Sequence, residues 1–163
     1  MKYSLNEKIA LIKLLILGME EECQIISAAL ANAVDGATNP ESKPEGKYDT
    51  RALESSYLAG AQQERLRELR ASIDFVKSQQ IHSLDSNTAI IAPALVSLQN
   101  ESGEARDILL VAAGGGVTLP SEQFKIQVVT PNSPIGAAVN GKRTGDFVSW
   151  GQSAVEWEVV FCI

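Results

Sequence analysis

The apolar positions at the start of the chain recur with the spacing of a helix that packs lengthwise against another helix. They step alternately by four and three residues, which is the heptad pattern typical of a coiled coil. Ser4 and Glu7 have the spacing of a capping box at the helix start, and we expect the helix to end near Val34-Asp35-Gly36. The repeat comprises Leu5, Ile9, Ile12, Ile16, Met19, Cys23, Ile26, Leu30 and Ala33.

A second helix is predicted from about residue 44 to residue 80, with apolar and small residues again three and four apart. Its repeat is small or polar at the start and becomes leucine-rich toward the end. The extra leucines of the first helix, at 11, 14, 15 and 17, would lie beside that end in an antiparallel pair. Residues 1–81 are therefore predicted to form an antiparallel coiled-coil hairpin with its tip at about 35–48. Helices of this length would give a rod roughly 45 Å long.

The second half of the chain, residues 82–163, changes to a strand pattern. Short apolar runs alternate with Gly, Pro, Asn and Ser turns, which predicts a compact antiparallel sheet with one short helix at Ser133–Asn140. The complete chain is thus predicted to be of the α+β class. The predicted strands are Ala89–Leu98, Asp107–Ala113, Phe124–Thr130, Asp146–Trp150 and Val155–Ile163.

Composition narrows the function. A formal net charge of −6 disfavours direct DNA binding, which needs a basic face. The apolar run Ile9–Leu17 is interrupted by Lys13 and followed by Glu20, so we predict no signal peptide and no membrane span. Two distant cysteines indicate no disulfide framework, which favours a cytoplasmic location.

Most residues with catalytic potential have ordinary structural interpretations. The single histidine, His82, provides no material for a triad or a zinc site. Gly114–Gly116 lacks the Lys-Ser or Lys-Thr of a phosphate loop and is interpreted as a turn. Cys23 and Cys162 occupy positions typical of packing residues.

The predicted tip contains carboxylates of two possible kinds. Asp35, Glu41 and Glu45 are hard oxygen ligands of the type that Mg²⁺ prefers. Alternatively, Ser42 and Glu45 form a capping box with Pro44 in the first turn, and Glu45 then only caps the second helix.

One segment carries a specific resemblance. Residues 133–148 read Ser-Pro-Ile-Gly-Ala-Ala-Val-Asn-Gly-Lys-Arg-Thr-Gly-Asp-Phe-Val. They closely resemble the C-terminal signature of the bacterial Gre transcript-cleavage factors, Ser-Pro-x-Gly-x-Ala-x-x-Gly-Lys-x-x-Gly-Asp-x-Val. The resemblance implies an FKBP-like β domain after an antiparallel coiled coil. It also implies that this segment carries polymerase-binding residues, namely Ser133, Pro134, Gly136, Gly141, Lys142, Gly145 and Asp146.

The resemblance further implies a bacterial transcription elongation factor that occupies the secondary channel of RNA polymerase. In that family, tip carboxylates hold the second Mg²⁺ of the polymerase active site, and the metal activates the water that hydrolyses backtracked RNA. The factor is at most a cofactor of the polymerase's own cleavage activity. It meets nascent RNA only within the polymerase complex, and a monomer is expected.

The tip departs from the family pattern, Gly-Asp-Leu-x-Glu-Asn-Ala-Glu-Tyr. Alignment on Tyr48 places Glu41 at the Asp position and Pro44 at the Glu position, with Glu45 one residue late. Two readings therefore remain open: cleavage through Glu41 and Glu45 with Asp35, or a channel-binding regulator that does not cleave. A third reading, an FKBP-like isomerase or chaperone module, rests on fold likeness and has few candidate aromatic residues.

Overall fold

The computed structural model describes residues 3–38, 50–120, 125–152 and 155–163, without the side chains of 33–38 and 50–56. The element order is α1 (Leu5–Thr38), α2 (Thr50–Ser78), β1 (Ala94–Asn100), β2 (Ala105–Leu110), β3 (Thr118–Pro120), β4 (Lys125–Val129), α3 (Pro134–Val139), β5 (Phe147–Val148) and β6 (Trp157–Cys162). The α+β class is confirmed. No helix in these ranges is both long and apolar enough to cross a membrane.

The start of α1 has the predicted capping box. The Ser4 amide donates to Glu7 Oε2 at 2.6 Å, and the Glu7 amide donates to Ser4 Oγ at 3.3 Å. These hydrogen bonds stabilise the ionised carboxylate and lower the pKa of Glu7. The other end of α1 was predicted wrongly, because the helix continues through Gly36 to Thr38. An isolated glycine weakens a helix without always ending it.

Helices α1 and α2 pack side by side and run in opposite directions. Near the start of α1, Lys8 bonds the carbonyl of His82, which follows α2, and further along Glu22 pairs with Arg65 at 3.0 Å. The buried heptad positions Ile12, Met19 and Cys23 belong to the apolar cluster that includes the buried leucines of α2.

The extra leucines of α1 divide into two pairs. Leu11 and Leu15 are buried in the apolar cluster shared with the sheet, as expected for residues that pack on something besides α2. Leu14 and Leu17 are 38% and 55% exposed, so the expectation that they also pack there is wrong. They lie on the helix flank that neither α2 nor the sheet covers.

The sheet has six strands in the order β3-β4-β2-β1-β6-β5. It is mixed, because β2 and β4 pair in parallel, and the prediction of a purely antiparallel sheet is wrong. The cause is the short strand β3, which the sequence reading missed. It pairs antiparallel with β4 at the sheet edge, so the chain reverses twice between β2 and β4.

Two predicted strands are shorter or shifted in the structure. The first begins at Ala94 and not at Ala89, because Pro93 has no amide to donate to a strand ladder. Ile90 bonds instead with the loop after α3. The predicted strand at 146–150 is only Phe147–Val148.

The two faces of the sheet are covered by different elements. Leu95, Leu109 and Ile126 face the N-terminal helices. Val96, Ile108 and Val159 face α3 and belong to a second apolar cluster. Alternate residues of one strand point to opposite faces, and this alternation is visible along β1 and β2.

Candidate functional site

The residues of the Gre-like signature form α3 and the turns that follow it. Ser133 is the N-cap of α3: its Oγ accepts from the Gly136 amide at 3.1 Å and donates to the Thr130 carbonyl at 2.7 Å. Pro134 occupies the first turn, where its missing amide costs no hydrogen bond. A Cβ on Gly136 would lie 1.9 Å from the Thr130 oxygen, so no other residue fits there without a shift. These residues fix where α3 begins.

The first turn after α3 ties the signature to the segment before β1. The Gly141 amide donates to the Ile90 carbonyl, and the Ile90 amide donates to the Lys142 carbonyl, both at 2.7 Å. Gly141 has φ +81°, a conformation that favours glycine. The Lys142 side chain is exposed. The backbone of this turn is therefore structural, whereas the lysine is available to a partner.

The second turn is closed by Asp146. Its Oδ2 accepts from the Arg143 amide at 2.9 Å, and the Arg143 side chain donates to the Asn87 carbonyl at 2.9 Å. Gly145 donates its amide to Val159 of β6 at 2.8 Å. The conserved-type polar residue of this turn is thus used within the fold.

The signature segment leaves a small set of side chains at the surface. Pro134 and Lys142 are exposed, and Phe147 is 57% exposed although it is a large apolar residue. Of the predicted polymerase-binding residues, Ser133, Gly136 and Asp146 act on the backbone of the segment itself. The structure therefore divides the predicted set into residues that shape the surface and residues that present side chains on it.

The junction between α1 and the sheet contains buried polar groups. Tyr3 donates its hydroxyl to Asp107 Oδ2 at 2.9 Å, and Ser97 donates to Asp107 Oδ1 at 2.6 Å. Burial is the main reason that the pKa of Tyr3 is raised, and the Asp107 carboxylate adds to it. The contact fixes the first residues of the chain on β1 and β2.

Lys8 makes a second connection at this junction. Its side chain is fully buried, and Nζ donates to the His82 carbonyl at 2.8 Å. Burial disfavours the ammonium and lowers the pKa of Lys8 to about 8. The imidazole of His82 is exposed, in agreement with the predicted surface histidine. Cys23 and Cys162 are buried and not in a disulfide, as expected of packing residues.

The predicted metal-binding tip is only partly within the described residues. Glu41 and Glu45 lie outside them, and for Asp35 only the backbone, in the last turns of α1, is described. In the described part of the chain, no three His, Cys, Asp or Glu residues cluster as they would around a metal ion. Magnesium binding by Glu41 and Glu45 therefore stays a prediction.

Sequence reasoning missed a cluster on the α3 side of the sheet. The Arg106 guanidinium lies over the Trp157 ring, 4.8 Å from its centroid, and 6.0 Å from that of Trp150. The two indole rings are 5.5 Å apart. Glu104 bonds one edge of the guanidinium at 3.2 Å. No local sequence signal predicts this cluster, because Trp150 and Trp157 meet Arg106 only through the strand order.

The fold and the site together define an α+β protein in which a long helix pair precedes a sheet carrying a Gre-like signature. Solved structures similar to this chain are transcription factors of that kind. One titled "transcription factor Gfh1" is 22% identical over 93% of this chain and 92% of its own, with a TM-score of 0.40. GreA factor homolog 1 of Thermus thermophilus is 20% identical over 99% and 96%, with a TM-score of 0.40.

A further similar structure is the transcription elongation factor GreA/GreB from Nitrosomonas europaea, 16% identical over 61% of this chain and 89% of its own, with a TM-score of 0.36. No family model matches the chain, and neither does any curated protein. The structures agree with the resemblance seen in residues 133–148. Their identities and TM-scores are too low to transfer a function, so the function is argued from this chain's own residues.

Proposed function

We propose that this protein binds RNA polymerase in the manner of a Gre-type factor, with the sheet domain at the rim of the secondary channel and the helix pair inside it. The observation that carries the proposal is the signature at residues 133–148, which resembles the Gre signature at all of its fixed positions. In the structure this segment is a built surface: two turns and a capped helix are held by hydrogen bonds to Thr130, Ile90 and Val159.

The dimensions of the helix pair support the proposal. α1 has 34 residues, which corresponds to about 51 Å. The longest strand, β1, has seven residues, or about 23 Å. The start of α1 is fixed beside the sheet through Tyr3 and Lys8. The rest of the pair therefore extends well beyond the sheet, more than a small core requires, and we propose that it is an antiparallel coiled-coil hairpin.

The exposed residues of the signature are the proposed contacts to the channel rim. Pro134, Lys142 and Phe147 present their side chains to solvent, while the rest of the segment sets their spacing. Lys142→Glu reverses a charge without removing a hydrogen bond of the fold, because only the Lys142 backbone is bonded. We expect Lys142→Glu to weaken co-elution with core polymerase at least about tenfold. Glu101→Lys, an exposed change in the β1–β2 turn, is the matched control.

For the chemistry we propose that Glu41 and Glu45, with Asp35, hold a Mg²⁺ shared with the polymerase active site. A metal at that place supplies activation of water for hydrolysis of a phosphodiester. The residues of this chain position the metal and leave the remainder of the catalysis to the polymerase. We further propose that the protein acts as a cytoplasmic monomer and meets nascent RNA only inside the polymerase complex.

A second candidate function is favoured by one observation in the sequence. Pro44 stands where the Gre pattern has its second carboxylate. Proline has no side-chain oxygen and cannot ligate a metal. The alternative is therefore a channel-occupying regulator that binds the polymerase without stimulating cleavage.

The test uses RNA polymerase stalled in a backtracked complex with labelled transcript, incubated with this protein and Mg²⁺. Cleavage predicts shortened RNA that disappears with the double variant Glu41→Ala, Glu45→Ala, which is expected to keep binding polymerase. Intact RNA with co-elution would support the regulator. Neither cleavage nor co-elution would contradict the proposed partner.

A further inference from the structure

The α3 side of the sheet has an open groove beside the Arg106–tryptophan cluster. The groove encloses about 440 Å³ and lies between the start of α3 and Trp150. Pro134, Ile135 and Trp150 form apolar walls, and Arg106 and Gln127 line its floor. A second hollow of about 390 Å³ adjoins it, shares Arg106 and Gln127, and adds Lys125. Together they make one recess with apolar and cationic sides.

The parallel pairing of β2 and β4 brings the two cations together. Asp107 pairs with Ile126 in the register, so Arg106 and Lys125, one residue earlier on each strand, are also neighbours. Both face the α3 side, because Ile108 and Val129, an even number of positions along, belong to the cluster on that side. Like charges opposite each other destabilise a sheet, and an anion bound between them removes that repulsion.

The Arg106 guanidinium is held in place for recognition. Stacking on Trp157 fixes its plane. Glu104 Oε1 accepts from Nε and Nη2, at 3.4 and 3.2 Å. Nη1 bonds to no acceptor among the described residues, so it is available to a carboxylate. The other nearby carboxylate, Asp107, is directed to the opposite face, where Tyr3 and Ser97 bond it.

From this arrangement we propose that the recess is a binding site for an acidic peptide segment of a partner protein. Carboxylates of the peptide bind Arg106 and Lys125, and an apolar side chain lies against Pro134, Ile135 and Trp150. A nucleic acid fits less well, because single strands need a longer track of cations than two, and a chain of net charge −6 repels an extended polyanion. The site requires nothing of the polymerase and is testable on the isolated protein.

The chain's own fluorescence reports on the site, because its only two tryptophans, Trp150 and Trp157, both lie in the cluster. The probe is acetyl-Glu-Leu-Glu-Glu-amide, titrated into the complete protein at low salt. We expect a saturable change in tryptophan emission that weakens with added salt. The neutral peptide acetyl-Gln-Leu-Gln-Gln-amide is expected to bind at least about tenfold more weakly.

Two variants test the assignment of residues. Arg106→Gln is expected to weaken binding of the acidic peptide at least about tenfold. Lys125→Gln is expected to weaken it several-fold, and it leaves the stacked arginine intact, so it remains informative if Arg106→Gln fails to fold. Arg67→Gln, an exposed arginine on α2 paired with Glu64, is the matched control and should bind like the wild type.

Three results would overturn the proposal. The first is the lack of a saturable signal with the acidic peptide. The second is equal affinity of the acidic and neutral peptides, or of the wild type and Lys125→Gln. The third is binding of a short oligouridylate with the same Arg106 dependence while the peptide fails to bind, which would make the recess a stacking platform for RNA.

Discussion

Substitution of Gly136 by alanine tests whether the Gre-like signature is first of all a device that shapes the chain around α3. The new Cβ would lie 1.9 Å from the Thr130 carbonyl oxygen and 2.8 Å from Ser133 Oγ. Cβ atoms essentially never come closer than 3.0 Å to such neighbours, so the carbonyl must move by about 1 Å or more. That carbonyl accepts from both the amide and the hydroxyl of Ser133.

The expected loss combines three effects. Overpacking a close contact costs about 1–3 kcal/mol. The weakened hydrogen bonds at Ser133 add about 1 kcal/mol each. Alanine is better than glycine within a helix by about 1 kcal/mol, which offsets part of the loss. Gly136→Ala should therefore lower the free energy of unfolding by about 2–4 kcal/mol. For a chain of this length, that corresponds to a melting temperature lower by about 5–15 °C.

Thermal unfolding followed by far-ultraviolet circular dichroism measures the effect. Gly18→Ala is the matched control, because Gly18 lies in α1 with no atom within 4 Å of the added Cβ. It should raise the melting temperature slightly, since only the helix preference changes. Equal melting temperatures for Gly136→Ala and the wild type would show that the close approach of α3 to Thr130 does not exist.

Three further predictions concern the junction at the N-terminus. Tyr3→Phe should lower the free energy of unfolding in urea by about 1–3 kcal/mol, because it removes a buried hydrogen bond to Asp107; an equal effect of the exposed control Tyr57→Phe would contradict this. Stability should rise between pH 8 and about pH 10, because the pKa of Lys8 is about 8 in the fold and higher in the unfolded chain, which then binds more protons. Above about pH 10 it should fall, since folding raises the pKa of Tyr3 and only the unfolded tyrosine ionises there. A urea midpoint series against pH checks both limbs, and persistence of the rise in Lys8→Met would assign it to another group. Ser4→Ala should lower stability by about 1 kcal/mol through loss of the capping box, and Asn6→Ala, outside the box, is its control in the same assay.

Local periodicity was sufficient to predict the helices and most strands. The capping box at Ser4, the long α1 and α2 and the short helix after Ser133 all follow from nearest-neighbour patterns. The end of α1 did not, because Gly36 was interpreted as a terminator and the helix continues past it. Leu14 and Leu17 show the same limit, since an apolar stripe wider than the contact leaves some members exposed.

What the sequence could not provide is pairing between distant segments. β3 has only Thr118, Leu119 and Pro120, too few residues to show alternation, yet it reverses the direction of β4. The parallel pairing that results places Lys125 beside Arg106 and creates the cationic recess. The signature segment was identifiable from its residues, but the division between residues that shape it and residues that contact a partner required the hydrogen bonds of Ser133, Gly136 and Asp146.

The most direct test of channel binding places a radical-generating iron chelate at the predicted hairpin tip. Cys23 and Cys162 are buried, so a cysteine introduced as Ser42→Cys is the accessible one to label. Bound to RNA polymerase, this protein should cut the catalytic subunit and the transcript near the active site. The same label at Ser102→Cys, in the β1–β2 turn, should cut only at the surface. Identical cutting patterns from the two positions, or no localised cuts, would contradict insertion of the helix pair into the channel.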